Sequence, residues 1–338
     1  VTSPLIDMGF RGDVFSNETT NNGGRLNVGA YGNTAEASRS TTNRTLLALT
    51  HNDGGVISGT TGKVTWVAGN AQPGDKVKLE YSLNGGATWS VIATNVPATN
   101  ETVTWNTTLH GSSGAAKWRV SYESFTNIVS ENTGFFSIRN SSLTFYINDT
   151  NTTGDIYTTA VGLQTNMAIP SAPKVSLASL FAGHTLSPGD TVYIDTGLYV
   201  LSNQVTFTYR ERGLPPTKLL ILGSTNMIAG GTIFDRQNSV ADSFVFNFAP
   251  CLHFKNIEIR NGRNGMIVLQ SPDSLMERVT VRDHSLTGID IQSSSPNTTI
   301  FRSLLLNNQF RAVSVGGTNI TLVGNTFVGP RGITYQSA

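Results

Sequence analysis

The side chains whose types could carry chemistry are densest between positions 273 and 290. There Asp273, Glu277, Asp283 and Asp290 alternate with Arg278, Arg282 and His284. Carboxylates brought together on one surface could act as acid and base, or share a divalent cation. Their spacing matches no catalytic or metal motif, so the expectation is a solvated outer face, with no catalytic and no cofactor-binding residue assigned. A second acidic stretch, "DTNTTGD" at 149–155, has the Asp-x-Asn-x-x-Gly outline of a calcium loop. Asp149, Asn151 and Asp155 are its candidate oxygen donors, although no glutamate closes the loop at its twelfth position. Calcium is the only cofactor candidate. The five histidines (51, 110, 184, 253 and 284) show no His-x-x-x-His spacing and are expected to be structural.

Three shorter motifs read more simply as structure. "SLNGGATW" (82–89) has the outline of a turn repeated in sialidase propellers, but a single copy builds no propeller. Asn84-Gly85-Gly86 supplies the positive φ of a hairpin turn, after which Trp89 is expected to return to the core. Arg11-Gly12-Asp13 is read as a plain loop. Nine Asn-x-Ser/Thr sequons, at Asn17, Asn43, Asn100, Asn106, Asn140, Asn148, Asn151, Asn297 and Asn319, permit N-glycosylation, at about the number chance would give.

The bulk numbers limit the partners. Over 338 residues only 13% are charged and the net charge is +1, with no concentrated basic stripe for nucleic acid. No apolar run is long enough to span a bilayer. The lone cysteine, Cys251, excludes an internal disulfide, and its apolar neighbours suggest a buried thiol.

The elements that must position these residues are nearly all strands. Residues 45–140 contain about seven short alternating segments, including "KVTWVAG", "DKVKLEYSL" and "AKWRVSYE", separated by turn clusters. That is the pattern of an antiparallel sandwich, with the four tryptophans expected to fill the space between its sheets. The order and lengths resemble the immunoglobulin-like or fibronectin-type modules of bacterial surface proteins. Residues 141–338 behave differently. "NIEIRNG", "RVTVRDH", "SLLLNNQ" and "NTFVGPR" start at 256, 278, 303 and 325, at offsets of 22, 25 and 22. A second strand signal recurs in phase from Asn264, Thr287, Arg311 and Arg331. Two interleaved signals at one period mark a solenoid with one coil per repeat. This block resembles the right-handed parallel β-helix family, the pectate-lyase-like superfold. The resemblance implies a short capping helix near 172–184, beginning after Pro173. It also implies inward ladders of Phe254, Ile257 and Ile259; Met276, Val279 and Val281; and Phe301, Leu304 and Leu306. Asn256 and Asn307 suit the tight turns.

Residues 1–44 carry "GGRLNVGAYGNTAEAS", which resembles the closing segment of such a β-helix, whereas the pattern at 338 stops in mid-coil. Three regions are therefore expected: a closing segment (1–44), a sandwich (45–140) and an open β-helix (141–338). An open end exposes unpaired strand edges. The economical partner is the closing segment of another copy, in a head-to-tail homo-oligomer or a tandem repeat. Leu26, Val28, Ala30 and Tyr31 would then meet Ile333 and Tyr335. The expected function is a structural, self-assembling extracellular protein rather than an enzyme. A polysaccharide-binding or polysaccharide-degrading β-helix, implied by the family resemblance, and an adhesin are the alternatives.

Overall fold

A computed structural model describes residues 6–20, 22–40 and 43–335, in two compact units, Val1–Asn140 and Ser141–Ala338. In the first unit one sheet holds the strands Thr45–Ala48, Gly62–Gly69 and Thr102–Trp105. The other is built on Ser113–Tyr122, which pairs antiparallel with Lys76–Ser82, Val129–Glu131 and Phe136–Ile138. Alternation along these strands sends Val64, Trp66, Leu79, Trp118, Val120 and Phe136 into one buried core. Trp66 and Trp118 donate their indole N–H groups to the carbonyls of Ala98 (3.1 Å) and Thr50 (2.9 Å), so burying them leaves no orphaned donor.

Trp89 departs from expectation. The turn before it forms as the sequence implies, with Gly85 and Gly86 at φ 68° and 99° and Thr88 N–H donating to Asn84 at 2.9 Å. Val91, however, pairs with Glu80, and Glu80 with Arg119. Position 89 shares their outer face, so the indole lies half-buried under the Arg119 guanidinium, 4.3 Å from the ring centre, instead of in the core.

Residues 6–20 and 22–40, expected as a closing segment, carry turns and no helix or strand among the described residues. They belong to the same unit as the sandwich, and Arg11 donates to the Ala68 carbonyl at 3.2 Å.

The second unit is a stack of coils with three parallel sheets. Its first full coil contributes Thr191–Ile194, Gly197–Val200 and Val205–Phe207, and its last Thr321–Val323, Thr326–Val328 and Ile333–Tyr335. The first sheet has one further strand, Thr144–Ile147, ahead of the first full coil. The two strand signals read from the sequence are the second and third sheets. In the last four coils a single left-handed residue makes the corner from the first sheet to the second: Asn256, Arg278, Arg302 and Gly324, at φ 56°, 52°, 50° and 66°. Asn307 turns the corner after the second sheet, at φ 51°. Asparagine and glycine tolerate this conformation best, so both asparagines sit where expected.

Those corners also correct the repeat. Arg278 is equivalent to Arg302 rather than to Ser303, because Met276 pairs with Ile300 and Val281 with Leu305. A one-residue slip turns a strand over. Ile300 and Leu305 are therefore the buried rungs, while Phe301, Leu304 and Leu306, expected inside, face outward and are half-buried. The sequence "IFRSLLL" places apolar residues at adjacent positions, so alternation alone could not choose between the two faces.

One α-helix is present among the described residues, α1 (Leu177–Gly183). Ser176 caps it in a reciprocal arrangement with Ser179, so it starts after Ser176 and not after Pro173. Leu177 and Leu180 join the β-helix core, and Phe181 packs edge-on against Phe207 with ring centres 5.0 Å apart. The helix thereby covers the core at its first coil.

Candidate functional site

The far end of the β-helix is the first candidate. In the third sheet, inward rows run through Phe244, Met266, Ile289, Val313 and Ile333, and through Phe246, Val268, Ile291, Val315 and Tyr335. Each residue is buried until the last coil, where Ile333 is 41% and Tyr335 76% exposed. In the other two sheets Leu322 and Phe327 continue the inward rows of Ile300 and Leu305 and are only partly buried. Val323 and Val328 beside them are exposed. This coil presents apolar side chains, and among the described residues its three strands pair on one side alone, a surface able to pair with further strands. In the first unit, Val28, Ala30 and Tyr31 are exposed and Leu26 is half-buried.

The acidic group at 273–290 is dispersed by the coil geometry. Glu277 lies on the outer face of the first sheet, paired with Lys255 at 2.9 Å and His253 at 3.1 Å. Asp273 and Asp283 occupy corners at φ 59°, and Asp290 lies on the third sheet, where it accepts from Gln292. On the second sheet Arg260 bonds Asp235 at 2.9 Å, and Arg282 bonds Glu258 at 2.7 Å. Glu277, Asp235 and Glu258 thus form cross-coil pairs, and the acids of 273–290 share no cleft. His284 is fully buried: Gly262 N–H donates to its Nδ1 at 3.0 Å, and Nε2 lies 3.3 Å from the Ile259 carbonyl.

The 149–155 loop uses its oxygens internally. Asp149 accepts the Asn151 N–H at 2.7 Å and the Leu198 N–H at 3.1 Å, and Asn151 accepts the Thr153 N–H at 3.1 Å. Asp155 accepts from Asn148 Nδ2 at 2.6 Å, and its other oxygen is buried without a partner among the described residues. Burial, together with the negative charges of Asp195 and Asp149, pushes the Asp155 carboxyl up to about 6. Asp195, which sequence reasoning missed, accepts the N–H groups of Ile156, Tyr157 and Thr158 at 2.7–2.8 Å and fixes the loop. Its only sequence signal is a lone acid after "TVYI". Among the described residues, no three His, Cys, Asp or Glu side chains gather as a metal group.

Eight sequon asparagines are exposed, but Asn148 is 0% exposed. Its amide nitrogen is taken by Asp155 and the Ala160 carbonyl, so the folded protein cannot accept a glycan there. Asn319 Nδ2 donates to Asn297 Oδ1 one coil below at 2.7 Å, a surface rung formed by two sequons.

Three parallel sheets stacked coil on coil make the second unit a right-handed parallel β-helix. Residues 189–337 match the family model described as "Right handed beta helix region". Among solved structures, "Crystal structure of pectate lyase Pel9A" aligns with 54% of this chain and 47% of its own length, at 18% identity and a TM-score of 0.43. The chain thus spans less than half of that structure. No curated protein matches the sequence. No helix among the described residues is long and apolar enough to cross a membrane.

Proposed function

We propose that this protein is a structural, self-assembling extracellular component whose β-helix is completed by further strands, supplied by another copy or by continuing polypeptide of the same repeat. The observation that supports the reading is the exposure of Ile333 and Tyr335, 41% and 76%, in rows that are buried in every preceding coil. Burying such side chains under another coil contributes about 1.5–3 kcal/mol each. The covered first coil makes the two ends of the stack unlike, and unlike ends join head to tail. The Val28, Ala30 and Tyr31 surface is the proposed complement. The cross-coil charge pairs support a scaffold role over catalysis, since each leaves its carboxylate engaged.

Light scattering coupled to size exclusion, with electron microscopy of the same fractions, tests the assembly. The 338-residue chain should form elongated oligomers, and Tyr335→Asp and Tyr31→Glu should each shift it to monomers with unchanged circular dichroism. A monodisperse monomer at every concentration sinks self-assembly.

A further inference from the structure

The segment before the sandwich has a polar interior. Its buried residues among those described are Asp7, Gly9, Glu18, Arg25, Asn27 and Ala37. Small segments without an apolar core need another device to hold them, commonly a disulfide or a metal. This one has no cysteine.

Asn27 joins the two acids. Its Oδ1 accepts the Asp7 N–H at 2.8 Å, and its own N–H donates to Glu18 Oε1 at 2.8 Å. Glu18 Oε1 also accepts the Asn33 N–H at 3.0 Å. The other oxygen, Oε2, is buried with no hydrogen-bond partner among the described residues, in a residue that is 6% exposed. Asp7 is 2% exposed and accepts from Ser40 Oγ at 2.7 Å. Burial holds the Asp7 carboxyl above its usual range, and the Glu18 charge adds to the rise, while the Ser40 hydrogen bond and Arg25 oppose it.

The buried cation of the segment does not neutralise both acids. Arg25 Nε donates to the Gly9 carbonyl at 2.9 Å, and its guanidinium pairs with Glu101 of the sandwich. Two carboxylates thus remain buried in this segment, near enough for the Glu18 charge to act on Asp7, and one has an oxygen with no hydrogen-bond partner among the described residues. A buried charge needs a counter-charge, and an orphaned buried acceptor calls for a missing ion or water.

We infer that Asp7 and Glu18 hold a hard divalent cation of the calcium type. Oxygen-only donors select calcium over thiophilic metals, and the turns around the two acids offer neutral oxygens such as Ser40 Oγ, with water filling the remaining positions. With two carboxylates the affinity falls in the range of extracellular calcium modules, about 10⁻⁴–10⁻³ M. The cation replaces the missing apolar core of residues 6–40.

Calorimetric titration of the EDTA-treated full chain with calcium chloride tests this. One site per chain is expected, weakened at least about tenfold in Glu18→Gln, a loss of roughly 1.4 kcal/mol. The amide oxygen of that variant still accepts from Asn27 and Asn33, so the fold is retained; Asp7→Asn is the second variant. All four tryptophans lie in the first unit, so tryptophan fluorescence should report a higher melting temperature in calcium than in chelator for the wild type alone. Glu258→Gln, at an acid already paired with Arg282 in the second unit, should leave the titration unchanged. No calcium uptake up to about 10 mM, or equal binding by wild type and both variants, overturns the inference.

Discussion

Asn308 stands one coil beyond His284, and its Oδ1 accepts the His284 backbone N–H at 3.3 Å. Its Nδ2 donates to the Val281 carbonyl at 3.0 Å, so one amide side chain satisfies two backbone groups inside the stack. His284 plays the equivalent part for Gly262, through Nδ1. Asn308→Leu orphans both partners at a buried corner, and unsatisfied groups of this kind cost about 1–3 kcal/mol each. The expected outcome is a β-helix destabilised by about 2–4 kcal/mol, read from the urea midpoint by far-ultraviolet circular dichroism.

The same rung makes the fold sensitive to acid. Burial holds the His284 imidazole well below its ordinary 6.5, at about 4. Between those values the unfolded chain binds a proton that the folded chain does not, so stability falls as pH drops from about 6.5 towards 4. His284→Asn repeats the residue of the next coil and removes the titration. Melting curves at pH 7 and pH 4.5 should differ less for the variant than for the wild type.

Asp155 acts in the opposite sense. Its carboxyl is raised to about 6 by burial and by Asp195 and Asp149, so the fold favours its protonated form. The resulting stability is complete below the ordinary 3.8 and is lost as pH rises through 6. Asp155→Asn keeps an oxygen for Asn148 and removes the charge. It should raise the β-helix melting temperature at pH 8 and leave it nearly unchanged at pH 4.

The corrected coil register predicts an asymmetry between neighbouring leucines. Leu305 is fully buried beneath Phe327, while Leu304 faces out. Leu305→Ala should cost about 2–5 kcal/mol, as leucine truncation in a core does. Leu304→Ala should cost less than about 1 kcal/mol. Equal costs in urea unfolding would place the register back where the sequence alignment put it.

The sequence by itself determined the class of each unit. Alternation with turn clusters specifies an antiparallel sandwich, and a recurring strand pair at a period of 22 to 25 specifies a coil, because every turn of a solenoid must present apolar groups to the same interior. It also located the corner asparagines, whose left-handed backbone few other residues adopt at low cost. Tertiary structure alone decided which of Ile300 and Phe301 points inward, since both are apolar and only hydrogen bonding to Met276 and Leu322 sets the face. It also decided that Trp89 lies outside the core, through the partners of Glu80, and that Asn148 is sealed by Asp155 and Ala160. The pairing of Asp7 with Glu18 through Asn27 belongs here too. Periodicity records the demand of a local element for one buried face. Burial of a polar group depends on partners remote in the chain, which periodicity does not encode.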